Sequence, residues 1–242
     1  MLKLNPHISV DCVIFGFDGL NLRILLVKRD FKENKNIFTD FKLPGDLIRD
    51  NEDLQAAAER ILKELTGLDN IYLHQFAVFG SPERISKQKD IEWLRKTSGL
   101  QVDRVVTIAW YSLIKIDESK EELARENQAS WVIPSTFSDL AFDHYEIVQA
   151  AFQTLREKIK YEPLGFELLT KKFTLRQIQN LYEAILGRKL DNRNFRKKVL
   201  KSGYLVPLDE KQIKVAHKPA RLFPFDKKKF EKNRRDSPGF LF

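Results

Sequence analysis

Residues 45–68 read Gly-Asp-Leu-Ile-Arg-Asp-Asn-Glu-Asp-Leu-Gln-Ala-Ala-Ala-Glu-Arg-Ile-Leu-Lys-Glu-Leu-Thr-Gly-Leu, and the rest of the chain is organised around them. Leu54, Ala57, Ala58, Ile61, Leu62 and Leu65 recur at helical spacing, so the stretch reads as a loop followed by an amphipathic helix that Gly67 closes. Its carboxylates are thin for a metal site. Hard cations such as Mg²⁺ require clustered oxygen ligands, and Ile61 and Leu65, on either side of Glu64, supply none. Arg60 and Glu64 stand one helical turn apart and are expected to pair with each other. Ile61 and Leu65 are likewise one turn apart and predict a packing face rather than an acidic one.

Working outward, His7 to Phe17 is rich in β-branched and aromatic residues, and Asp18-Gly19 turns it into a second strand, Leu22 to Val27, a hairpin that opens a mixed sheet. Phe41-Lys-Leu-Pro-Gly leads into the central stretch. Beyond it, Ile71 to Phe79 and Val102 to Ile114 are strand candidates, separated by Phe79-Gly-Ser-Pro-Glu-Arg and a charged, partly helical insert, Ile85 to Gln101, that contains Trp93. Trp131-Val-Ile-Pro is a short strand or turn. Leu140-Ala-Phe-Asp-His then leads into a helix with Ile147, Ala150, Ala151, Leu155 and Ile159 inward, and Asp143 and His144 are expected to cap and anchor it. The four histidines (7, 74, 144, 217) have no paired ligand spacing, so neither structural zinc nor any other metal or cofactor is expected. Cys12 is the only cysteine, which excludes an intrachain disulfide. No apolar run approaches the roughly 18 residues of a membrane span, and no secretory signal opens the chain, so a cytoplasmic location is expected.

Charge divides the 242 residues unevenly. Residues 161–242 hold 20 Lys/Arg against 9 Asp/Glu, a net of +11, while residues 1–160 hold 22 against 25, a net of −3. A basic excess confined to one module points to a polyanionic partner. Tyr161-Glu-Pro-Leu-Gly is the expected linker, giving domains 1–160 and 161–242. After it, Thr174 and Gln177 stand in capping-box register before a helix with Leu175, Ile178, Leu181, Tyr182 and Ile185 inward and Gly187 at its end. A second helix starts at the cap Asp191, with Phe195, Val199 and Leu200 as core anchors. Tyr204-Leu-Val-Pro and Lys211 to His217 then read as two strands around a turn at Leu208-Asp-Glu, completing the order of a winged helix. In such a module the first turn of the second helix meets base edges, which suits Asn192, Arg193 and Asn194. Arg196, Lys197, Lys198 and Lys201, with Thr174, Arg176 and the hairpin's Lys214, His217, Lys218 and Arg221, complete the candidate DNA-binding set.

The spacing of Glu52, Arg60, Glu64 and Gly67 resembles the Nudix box of the Nudix hydrolases, with Asp46, Ile61 and Leu65 replacing the box glycine and two of its glutamates. Phe79-Gly-Ser-Pro-Glu-Arg, Leu140-Ala-Phe-Asp-His, Phe173-Thr-Leu-Arg-Gln, Tyr182-Glu-Ala-Ile-Leu-Gly, Asn194-Phe-Arg-Lys-Lys and Pro219-Ala add matches in order along nearly the whole chain. Together they resemble the Nudix-related transcriptional regulators. That resemblance implies an α+β chain, with an N-terminal Nudix α/β/α sandwich built on a mixed sheet and a C-terminal winged helix-turn-helix. It further implies a homodimeric repressor on a palindromic double-stranded DNA operator, with an inactive, non-enzymatic Nudix domain as effector sensor. The branch it most resembles regulates L-arabinose catabolism, so a pentose is the expected effector, with ADP-ribose and NAD metabolism, or an active Nudix hydrolase with a nucleic-acid-binding tail, as alternatives. Lys42, Asp46, Glu64, Glu83, Arg84 and Arg104 are the candidate effector-binding residues.

Overall fold

The computed structural model describes residues 3–33, 36–136, 139–159, 162, 164–201, 203–213, 218–226 and 228–230. They fall into two compact units, residues 1–16 with 23–151, and residues 17–22 with 152–242.

The first unit is built on a mixed seven-stranded sheet. Its strands are β1 (Leu4–Phe17), β2 (Leu22–Glu33), β3 (Asn36–Lys42), β4 (Gly45–Arg49), β5 (His74–Phe79), β6 (Val106–Lys115) and β7 (Ala129–Val132). The order is β3-β2-β1-β6-β5, with β4 paired to β1 and β7 to β2. β1 is buried from Ser9 to Phe17, so its alternate side chains serve opposite faces. Val10, Cys12 and Ile14 join a core with α1 (Leu54–Thr66), through Ala57, Ala58, Ile61 and Leu62, and with Ala124 of α3 (Glu118–Glu126). Asp11 points the other way, to the start of α4 (His144–Lys158). Helices thus cover both faces.

α1 ends where the sequence predicts: Gly67 closes it at a φ of 72°, a left-handed conformation that glycine adopts without a Cβ penalty. Its start is capped by Asp53, which accepts from Ala56 N at 2.8 Å and is not singled out by the sequence reading. One feature departs from expectation: Gly45–Arg49, read as loop, is strand β4, with Leu47 opposite Ser9 and Gly45 opposite Asp11. The insert Ile85 to Gln101 is partly helical as expected, with α2 (Gln88–Ser98) following a 3-10 turn, Pro82–Ile85.

In the second unit, α5 (Leu175–Leu186) opens on the full Thr174/Gln177 capping box and ends at Gly187, with a φ of 67°. α6 (Asn192–Lys201) is capped by Asp191, which accepts from Asn194 N at 2.8 Å. Ile178, Leu181, Tyr182 and Ile185 of α5 and Phe195 and Val199 of α6 are buried. The hairpin differs from the sequence reading. Leu205 bridges to Phe225 and Lys211 to Arg221, and Leu208 N donates to Leu222 O at 3.0 Å. The segment around 220–225 therefore pairs with 205–212, so that Lys211, expected to open the second strand, lies with Leu208-Asp-Glu in the first arm, and residues 214–217 of the expected strand lie outside the described residues. Phe173 bridges Phe223 from the other side. An aromatic cluster of Phe166, Tyr204, Phe225 and Phe230 fills this end, with Phe166 and Phe225 stacked at 4.1 Å.

Candidate functional site

Of the six expected effector residues, the fold gathers three. Lys42, Asp46 and Arg84 line one cavity of about 40 Å³ with Ser9, Asp11, Leu47, Trp93, Leu94, Phe142 and His144. Glu64 stands on the exposed side of α1, bonded to Arg60 at 3.0 Å and Arg49 at 3.1 Å. Glu83 is exposed, and Arg104 is exposed with its guanidinium on Gly80 O at 3.3 Å.

Asp11 is the hub of the cavity wall, and sequence reasoning missed it. Its Oδ2 accepts from Arg84 Nη2 at 3.3 Å, while Arg84 also grips Asp143 through Nε and Nη2 at 3.0 and 2.9 Å. Its Oδ1 lies 3.3 Å from His144 Nε2. His144 Nδ1 accepts from Leu43 N at 2.9 Å, so the ring proton is assigned to Nε2 and is donated to Asp11. Burial alone would raise the Asp11 pKa, but His144, Arg84 and the Thr107 hydroxyl outweigh it and hold the carboxyl well below the usual range. Asp143 and His144 thus anchor α4 as expected, Asp143 through Arg84, 59 positions away, and His144 through Asp11, more than 130 positions away in sequence. The approach is tight: a Cβ at Gly45 would lie 1.8 Å from Asp11 Oδ1, so the position admits only glycine.

Lys42 is buried beside this hub, its Nζ donating to Gly45 O at 2.5 Å, and burial pushes its pKa down. A second charged cluster backs the cavity. Arg29, fully buried, bonds Asp40 at 2.7 and 2.6 Å and lies 2.7 Å from Asp90, which is also fully buried. Its guanidinium sits 5.3 Å from the Trp93 ring and 5.1 Å from Phe142. Asp90 also accepts from Phe142 N at 3.0 Å. Phe142 has a φ of 56°, unusual for a bulky side chain, and that bond helps to hold it there. Aromatic and ionic contacts therefore fasten α2 over the cavity.

Ile61 and Leu65 form a packing face on α1, as expected from their spacing. Ile61 is 1% exposed and Leu65 packs against the same core. Glu52 accepts from Arg49 N at 2.7 Å and from Arg60 Nε at 2.8 Å, and Arg60 foremost draws its pKa down. These carboxylates hold the β4–α1 corner closed.

The other candidate surface is α6. Asn192, Arg193, Asn194, Arg196, Lys197, Lys198 and Lys201 are all exposed, as are Arg176, Lys218 and Arg221. Thr174 is buried, its hydroxyl committed to the α5 cap, and so offers nothing outward. Lys214 and His217 lie outside the described residues. Leu200, expected in the core, is 47% exposed.

Comparison with known proteins agrees with both halves. A NUDIX domain model matches residues 5–151, and an NrtR DNA-binding winged helix domain model matches residues 165–225. The chain is 32% identical over 225 residues to the ADPR responsive transcriptional repressor NtrR of Acinetobacter baylyi, covering 91% of this chain and 82% of that protein. In fold it is similar to Shewanella oneidensis NrtR complexed with a 27mer DNA, at 22% identity and a TM-score of 0.66 over 97% of both chains. It is also similar to a MutT/nudix family protein of Enterococcus faecalis, at 22% identity and a TM-score of 0.61 over 91% of this chain and 86% of that one. Among the described residues no helix is long and apolar enough to cross a membrane. The chain belongs to the Nudix-related transcriptional regulators, proteins that join a Nudix domain to an NrtR-type DNA-binding winged helix.

Proposed function

We propose that this protein is a homodimeric transcriptional repressor that binds a palindromic operator and responds to ADP-ribose through a non-hydrolytic Nudix domain. The observation that carries the reading is one chain holding a box helix turned over to core packing and a helix, α6, whose outward side chains are mostly basic. The 32% identity to an ADPR responsive repressor supplies the effector. On that ground ADP-ribose and regulation of NAD metabolism replace L-arabinose and sugar catabolism, which the relatives do not support.

ADP-ribose enters at the cavity of Asp11, Lys42 and Arg84. A space of about 40 Å³ holds a water or two, whereas small-molecule sites span about 300–1,000 Å³. Trp93 and Leu94 of α2 line that space together with Phe142, so on this reading effector entry displaces α2. That displacement is the two-state element through which binding is coupled to the DNA-binding unit. A coupling of about 1–3 kcal/mol lowers operator affinity roughly 5- to 150-fold.

Gel-shift titration with ADP-ribose and, separately, L-arabinose tests this. Release by ADP-ribose alone is expected; release by arabinose alone, or by neither, overturns the effector assignment. Incubation of the protein with ADP-ribose and Mg²⁺ or Mn²⁺ is expected to leave the ligand intact. Turnover lost in Glu64→Gln would make the protein a hydrolase.

A further inference from the structure

Leu200 breaks the pattern of α6. Phe195 and Val199 are 4% and 0% exposed and anchor the helix, yet Leu200 is 47% exposed among Arg196, Lys197 and Lys201. Residues seven apart on an α-helix return to within about 20° of the same azimuth, so Leu200 shares its face with Arg193, and Lys197 lies between them. At 1.5 Å per residue it stands about 10 Å further along the axis, or about three base-pair steps of 3.4 Å.

A face committed to a polyanion gains nothing from leucine against phosphate. The major groove offers one apolar group on its base edges, the thymine C5-methyl. We propose that Leu200 is a specificity residue that packs on a thymine methyl, about three base pairs from the base that Arg193 reads. The inference rests on the DNA-binding reading and is independent of the effector.

The test uses the full chain. Duplexes enriched from a randomised library are resynthesised with uracil in place of each thymine in turn, which removes only the methyl group. One uracil, about three base pairs from the position whose preference Arg193→Ala relaxes, is expected to weaken wild-type binding about fourfold, the worth of one buried methyl. Leu200→Ala should bind the thymine and uracil duplexes alike, and Leu200→Met should retain the difference. The proposal fails if uracil affects wild type and Leu200→Ala equally, or affects neither. Equal weakening of every duplex by Leu200→Ala would instead assign the side chain to protein packing. If no sequence is enriched, the DNA-binding reading falls together with the role of the leucine, an outcome distinct from enrichment without uracil dependence.

Discussion

Arg29 and Arg193 put the same side chain to opposite uses. Arg29 is fully buried, held by Asp40 and Asp90 and faced by Trp93 and Phe142. Arg193 is exposed on α6 beside Arg196 and Lys197, and among the described residues none of these three makes an ion pair. A cation taken out of water must be matched by the fold itself, since its desolvation is costly. A cation left in water costs the fold little and is available to a partner that brings its own phosphates. The first unit spends charge on its own architecture, and the second presents charge outward.

The largest expected effect lies on the buried side. Arg29→Ala strands Asp90 without its ionic partner and should cost about 3–5 kcal/mol in urea unfolding; a loss under 1 kcal/mol would put Arg29 with the surface cations. Acid should erode the same region next. The Asp11 carboxyl is held below its ordinary pKa of about 3.9, so its contribution is complete above that value and is lost as pH falls toward the folded one. Asp11→Asn should flatten the fall of stability below about pH 4, read by circular dichroism. On α6, Arg193→Ala should cost about 1–3 kcal/mol on the preferred duplex and relax one base preference, with unfolding unchanged. Thr174→Ala sits between the two behaviours: an N-cap is worth about 1 kcal/mol of stability, and DNA affinity should follow only through folding. Lys197→Ala should have the mildest consequence, weakening all sequences alike and reducing the salt slope by about 0.9. A change of base preference in Lys197→Ala would reverse the roles of Lys197 and Arg193.

The second unit was the more legible in sequence because its determinants are local. Thr174 with Gln177, Gly187, and Asp191 with Asn194 fix two helices through bonds spanning a few residues, and all form as expected. Its hairpin was misread because Leu208-Asp-Glu has turn composition, while the register is set by partners at 220–225 that composition does not reveal. β4 was missed because a familiar loop pattern outweighed its short apolar pair, Leu47 and Ile48. The cavity was half legible: Lys42, Asp46 and Arg84 flank the box, but Asp11 meets Arg84 across 73 positions and Asp90 meets Phe142 across 52. Only the folded sheet brings these together. Leu200 misled for a simpler reason, since a leucine beside Val199 fits a core stripe until the azimuth is fixed.

The placement of Trp93 has an optical consequence. The chain has three tryptophans, and Trp110 and Trp131 belong to the sheet's core cluster, where their surroundings are set by the fold. Trp93 alone looks onto the cavity, with Arg29 at 5.3 Å and Lys42 Nζ at 5.5 Å from its ring. Indole emission follows the local field and polarity, so the α2 displacement proposed above would change the emission of Trp93. The protein therefore carries an intrinsic, label-free dye on a helix that lines its cavity.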